Sequence, residues 1–231
     1  ADHLRLGSIS FGTVLESAYG TGHENYRDYS NGSHWKFYST LFSAAGIKMA
    51  LPIAGVSEVG TSIIANKSPV GIAAQSCIRG IWEEPCMSCW KCFRKSLLEK
   101  ALGQTELDQG VLMAMLRSSE VRSKLSSLPI SHENVVSYAL NRTGDMDNSE
   151  MKSLVERVCG LGSLPFLSKW YSPSLELVPN NWSMDCAKGI QRYLSPMNSR
   201  EEKAIENWDM GDFLVSEHTL SAHRKLVDLW S

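Results

Sequence analysis

Six cysteines are present, and four of them, Cys77, Cys86, Cys89 and Cys92, stand at the spacing C-x8-C-x2-C-x2-C. Two C-x-x-C steps that share a cysteine can turn their sulfurs toward one point. Zn2+ prefers four such ligands in a tetrahedron at about 2.3 Å, and a closed set of four thiolates leaves no position for substrate. The spacing therefore predicts a structural zinc. Two other readings of the same thiols stay open. A disulfide pair needs an oxidising compartment, and the charged start Ala1 to Leu6 shows no positive segment leading into an apolar one. A redox C-x-x-C opens a helix without two further cysteines in register. Cys159 and Cys186 lie far off in sequence and read as small buried hydrophobes.

The rest of the chain must position these thiols. Its 231 residues, 43% apolar and 21% charged with a net charge of −2, describe an ordinary globular protein with room for a sizeable core. No apolar run approaches the roughly 20 residues that cross a membrane, so a soluble, cytoplasmic chain is expected. The near-neutral charge argues against non-specific nucleic-acid binding as the main task. The cluster Lys91, Arg94, Lys95 and Lys100 leaves nucleic-acid contact open, although a helix face of this kind is usually only solvated. Ala1 stands where an initiator methionine would, which fits a chain starting at a processing boundary.

Ahead of the cysteines the pattern is α/β. Ala1 to Leu4 reads as a short helical end, Leu6 to Phe11 as a buried parallel strand with Gly12-Thr13 turning at its end, and Val14 to Tyr29 as a polar loop. Ser33 to Ala45 has helical periodicity, Ile47 to Ile53 is a second strand, and Glu58 to Asn66 a further helix. Beyond Cys92 helix signals dominate. Phe93 to Leu102 leaves the cysteine cluster directly, and Thr105 or Asp108 can cap Leu107 to Leu116. Ser131-His132-Glu133 and Asn148-Ser149-Glu150 open two more helices, and Ser199 to Glu202 reads as a capping box. A last amphipathic helix carries Leu220, Leu226, Val227 and Trp230. Tyr171 to Asn181 is proline-rich and reads as an extended connection. Met49, Met87, Met113 and Met115 read as core filling, and Trp82 and Trp90 as rings that shield the metal sulfurs.

Read together, the strand, the loop with Tyr26-Arg27-Asp28, the strand leading into Pro52 to Ser57, and the four cysteines resemble the second half of the QueC family. These are 7-cyano-7-deazaguanine synthases, PP-loop adenine-nucleotide α-hydrolase-like enzymes. The resemblance covers roughly residues 1–95. It implies a partial parallel, Rossmann-like sheet followed by an all-α region: an α/β domain over 1–103 containing the zinc loop 77–92, then a helical domain over 104–231. It also implies a structural Zn2+ on Cys77, Cys86, Cys89 and Cys92, and substrate contacts from Tyr26, Arg27 and Asp28. Glu16 and His23 in the same loop are acid–base candidates.

The implied activity is ATP-dependent and AMP-forming, activating a carboxylate or amide of a nucleobase-like small molecule with ATP and Mg2+. The family's Ser-Gly-Gly-x-Asp-Ser phosphate loop does not occur in these 231 residues, Glu58 replaces a lysine expected beside the pyrophosphate, and Gly60 replaces a glutamate. Two parallel strands alone leave backbone edges unpaired. An upstream segment or a second subunit, in a homo- or hetero-oligomer, would then carry the phosphate loop. The other expectation is a non-catalytic, zinc-stabilised interaction module, for example in a multi-protein defence assembly.

Overall fold

The computed structural model describes residues 6–106, 108–143 and 148–230. In chain order the regular elements are β1 (Ser8–Ser10), α1 (Leu15–Ala18), α2 (Ser33–Ala44), β2 (Lys48–Ala50), α3 (Glu58–Lys67), α4 (Trp90–Ala101) and α5 (Gln109–Leu116). They continue with α6 (Ser119–Leu125), α7 (Glu133–Leu140), α8 (Ser149–Val158), α9 (Asn180–Gln191), α10 (Ser199–Glu206), α11 (Gly211–Val215) and α12 (Glu217–Asp228). The protein is mostly helical with one small parallel sheet. The helical end expected at Ala1 to Leu4, and Leu107, lie outside the described residues.

The chain divides into two compact units, each interrupted in sequence. Unit 1 comprises residues up to Ile64 together with Phe166–Trp208, and unit 2 comprises Ala65–Pro165 and the residues from Asp209 on. The division expected between 103 and 104 falls inside unit 2. The reason is packing: α4, which leaves the cysteine loop, lies against α5, α6 and α7, so the loop and the following helices share one core.

In unit 1, β1 and β2 pair in parallel with Ile9 opposite Met49. Both strands are shorter than their apolar runs, because Leu51 turns its N–H to the carbonyl of Leu177 at 2.9 Å and the chain bends through Ile53 and Ala54. The loop expected from Val14 to Tyr29 contains α1, whose Leu15, Glu16 and Ala18 are buried. The expected extended connection is a 3-10 helix over Ser172–Leu177, with Pro173 in its first turn where a missing N–H costs nothing. It leads into α9, which sequence periodicity did not reveal. Val56, Trp170, Ala187, Ile190 and Leu194 form a small core, with Cys186 against it.

Unit 2 is a helical assembly. Its core runs from Cys77, Cys89 and Cys92 through Phe93, Leu97, Leu112 and Val136 to Leu154 and Leu226. The caps follow local chemistry: the Asp108 side chain accepts from Val111 N–H at 3.1 Å, and Asn148 accepts from Glu150 at 2.8 Å. Glu133 and Arg157 form an ion pair beneath α7 and α8, at 1% and 0% side-chain exposure. Arg157 Nε also donates to His223 Nδ1 at 3.3 Å, and the other ring nitrogen of His223 is 3.3 Å from the Ser126 carbonyl. That arrangement ties α12 to α7 and α8. In unit 1 the capping box at α10 is built one residue earlier than its sequence reading, on Asn198 with Glu201.

Candidate metal centre

The four cysteines converge. Their sulfurs all lie within 4.8 Å of one another, and those of Cys86 and Cys92 are 3.8 Å apart. Sulfurs about 2.3 Å from the centre of a tetrahedron stand about 3.8 Å from each other, so the set fits one metal ion. Cys77, Cys89 and Cys92 are buried and Cys86 is partly buried, on the edge of the unit 2 core.

The loop reaches this geometry through tight backbone turns, two of them at non-glycine residues in the left-handed region. Ile81 and Glu84 form an isolated antiparallel bridge around a turn in which Glu83 has φ 66°, and Met87 has φ 49° between Cys86 and Cys89. Gly80 is obligatory: a Cβ there would lie 2.1 Å from the Glu84 carbonyl oxygen and 2.9 Å from Cys86 N. Gln75 fastens the turn, donating from Nε2 to the carbonyls of Cys77 at 3.1 Å and Ile81 at 2.8 Å. Its Oε1 accepts from Glu83 N–H at 2.7 Å. Cys89 is the N-cap of α4, its sulfur accepting from Cys92 N–H at 3.4 Å, and Cys77 sulfur accepts from Cys86 N–H at the same distance.

These donors shape the thiols. The backbone N–H of Cys86, then that of Arg79, hold the Cys77 thiol below its ordinary pKa. The Ser88 N–H is the largest cause drawing Cys86 down to about 6. Burial, with Cys89 next, pushes the Cys92 thiol up. Thiolate is the metal-binding form, and two of the four positions already favour it.

A second ring of contacts holds the loop on the helices. Ser118 donates to the Ser88 carbonyl at 2.8 Å, and Glu120 accepts from Trp90 N–H at 3.2 Å while pairing with Arg79. Ser118 and Glu120 had no signal in the sequence, because a polar residue that fastens a loop from 30 positions away in the chain has no local pattern. Trp90 is buried at 6% exposure, stacks on Phe93 and shares the core cluster of Cys77, Cys89 and Cys92. Trp82 does not: it is 56% exposed at the tip of the turn. Arg94 of the basic cluster is buried, its guanidinium 5.7 Å from the Trp90 ring centroid, so those four cations do not form one solvated face.

In unit 1 the side chains expected to meet substrate have local duties. Asp28 caps the 3-10 turn Tyr29–Asn31, accepting from Ser30 N–H at 2.9 Å and Ser30 Oγ at 2.6 Å. Tyr26 stacks on the buried Tyr19 with centroids 6.2 Å apart, and burial raises its pKa. Arg27 is exposed and its N–H donates to the Tyr19 carbonyl at 3.1 Å. Glu16 is 1% exposed, and both its carboxylate oxygens accept from Glu58 N–H at 3.1 Å, at the N-terminus of α3. His23 is exposed, and its carbonyl accepts from Trp208 Nε1 at 2.9 Å.

The fold and the site together define a mostly helical protein of two units with a four-cysteine centre able to hold a metal ion. Residues 37–209 match a family of unknown function, DUF6395, and the chain belongs to that family. No curated protein and no solved structure matches it. Among the described residues no helix is long and apolar enough to cross a membrane.

Proposed function

We propose that this chain is a zinc-stabilised interaction module of QueC-like descent, with Cys77, Cys86, Cys89 and Cys92 holding a structural Zn2+ as thiolates. One observation carries the reading: four sulfurs within 4.8 Å of one another, set on the core of unit 2. Four thiolates close the coordination sphere, so the ion would supply folding free energy rather than a reactive position. A cytoplasmic location fits, because a reducing compartment keeps the thiols free.

The interaction role is supported by apolar surface in unit 1. Among the described residues strand β1 pairs on one side only, and α2 has no fully buried residue although it carries Trp35, Phe37, Tyr38, Leu41 and Phe42. The same open edge supports a second reading, in which an upstream segment or second subunit adds the missing strands and a phosphate loop. The complex would then be an ATP- and Mg2+-dependent, AMP-forming ligase acting on a carboxylate or amide, with Tyr26, Arg27 and Asp28 toward the substrate. Two placements favour the module over the ligase. Glu16 fills the α3 N-terminus near which a pyrophosphate would be expected, and Asp28 is engaged in its own turn.

Calorimetric titration of the purified chain with MgATP, beside a native mass spectrum, separates the two. The module reading expects no ATP binding and no companion carrying a phosphate loop. A stoichiometric companion whose complex releases pyrophosphate from ATP would overturn it in favour of the ligase.

A further inference from the structure

Unit 1 contains a groove of about 510 Å3 that the metal centre does not use. That volume lies in the range of roughly 300–1,000 Å3 usual for small-molecule sites. One wall is a face of α2 on which Trp35, Ser39 and Ser43 recur every fourth residue. At about 1.5 Å rise per residue this wall runs about 12 Å.

The charges in the groove are separated. Leu177, the neighbour of Glu176, accepts from Leu51 N–H at 2.9 Å, so Glu176 lies toward the carboxyl end of β2, the strand that Lys48 begins. Lys48 follows the last turn of α2 and belongs to the Ser43 end, where its ammonium is 3.4 Å from Asn181 Oδ1. Among the described residues Glu176 has no hydrogen-bond or ion-pair partner. Burial, then Asp28, raises its pKa. The hydroxyl of Tyr19 feels the charge of Glu176, and this side chain is 1% exposed with no hydrogen-bond partner. Ile47, Leu177 and Val178 add an aliphatic stretch to the lining beside Ser39, Ser43, Asn180 and Asn181.

We propose that this groove binds a short zwitterion with an apolar body, about the size of a tripeptide with free termini, its ammonium on Glu176 and its carboxylate on Lys48. Three extended residues span about 10 Å, which matches the wall. An ammonium group gives donors to Glu176, and the aliphatic stretch accepts an apolar side chain. The assignment is independent of the zinc reading, since every residue it uses is in unit 1.

The test is calorimetric titration of the whole chain with Leu-Val-Leu, its N-acetylated form and its C-terminal amide. The parent peptide should bind, and each blocked form should bind at least about tenfold more weakly, a difference of about 1.4 kcal/mol. Glu176→Gln should remove the penalty of acetylation and leave that of amidation, whereas Lys48→Met should do the reverse. Three results would each overturn the proposal: no saturation by the parent peptide at about 5 mM, blocked peptides binding as well as the parent, or penalties that persist in the variants. Binding of GMP in place of the peptide would also overturn it and make the groove a nucleotide site.

Discussion

At Cys89 one sulfur serves two structures. It caps α4 by accepting from Cys92 N–H, and it lies among the three other thiols. Cys159 is only a partly buried side chain against the same core. Cys89→Ser should therefore abolish metal binding and cost several kcal/mol, because a structural zinc site contributes on the order of 10 kcal/mol to folding. Cys159→Ser should cost about 1–2 kcal/mol, the ordinary loss for a small buried group. Thermal denaturation of both variants checks this, and equal shifts would count against a structural metal. A buried charge makes the second case at this scale. Arg157 is fully buried and meets Glu133, itself 1% exposed. Glu133→Gln leaves a buried guanidinium uncompensated and should cost about 3–5 kcal/mol in chemical denaturation. A loss below about 1 kcal/mol would mean that Arg157 finds another partner.

Among the elements, the cysteine loop depends on Gly80, where a side chain would collide with the backbone of Glu84, Pro85 and Cys86. Gly80→Ala should lower metal affinity and thermal stability together while leaving all four thiols in place. Unchanged affinity, measured by chelator competition, would show that the turn can shift. The α8–α12 contact carries a pH dependence whose sign follows from His223. Burial, then Arg157, lowers its pKa from the ordinary 6.5, while the Ser126 carbonyl opposes them. Folding thus favours the neutral ring, which accepts from Arg157 Nε. The stabilisation is complete above the unfolded-state pKa of about 6.5 and is lost as pH falls below it toward the depressed folded value. Wild-type stability should fall more steeply than that of His223→Gln between about pH 7 and 5. Parallel profiles would remove His223 from the account.

Across the whole molecule, what was legible in the sequence was what is local. The shared-cysteine spacing located the metal-type centre because four thiols within sixteen residues can converge through turns alone. Asp108 and Asn148 marked their helices because a cap needs only the next three residues. The unit boundary was not legible. Phe166–Trp208 returns to the strands near the start of the chain and α12 packs on α8, and such long-range packing has no sequence period. Nor were α1 and α9, one only four residues long and the other entered through a proline. The family resemblance pointed to Tyr26, Arg27 and Asp28 as a substrate loop, and the local cap that Asp28 makes with Ser30, two residues on, was passed over in its favour. Because the thiols sit on the same core as α4, α5 and α7, stripping the metal should raise amide hydrogen exchange through all three helices. Protection lost only within residues 77–92 would limit the metal to its loop.

The most direct test of the structural zinc is elemental analysis of freshly reduced protein, made on the wild type and on Cys89→Ser. The account predicts close to one zinc per chain in the first, next to none in the second, and no visible absorption of iron bound to thiolate. Wild-type protein with no metal and four freely titratable thiols would contradict it, and so would iron in place of zinc.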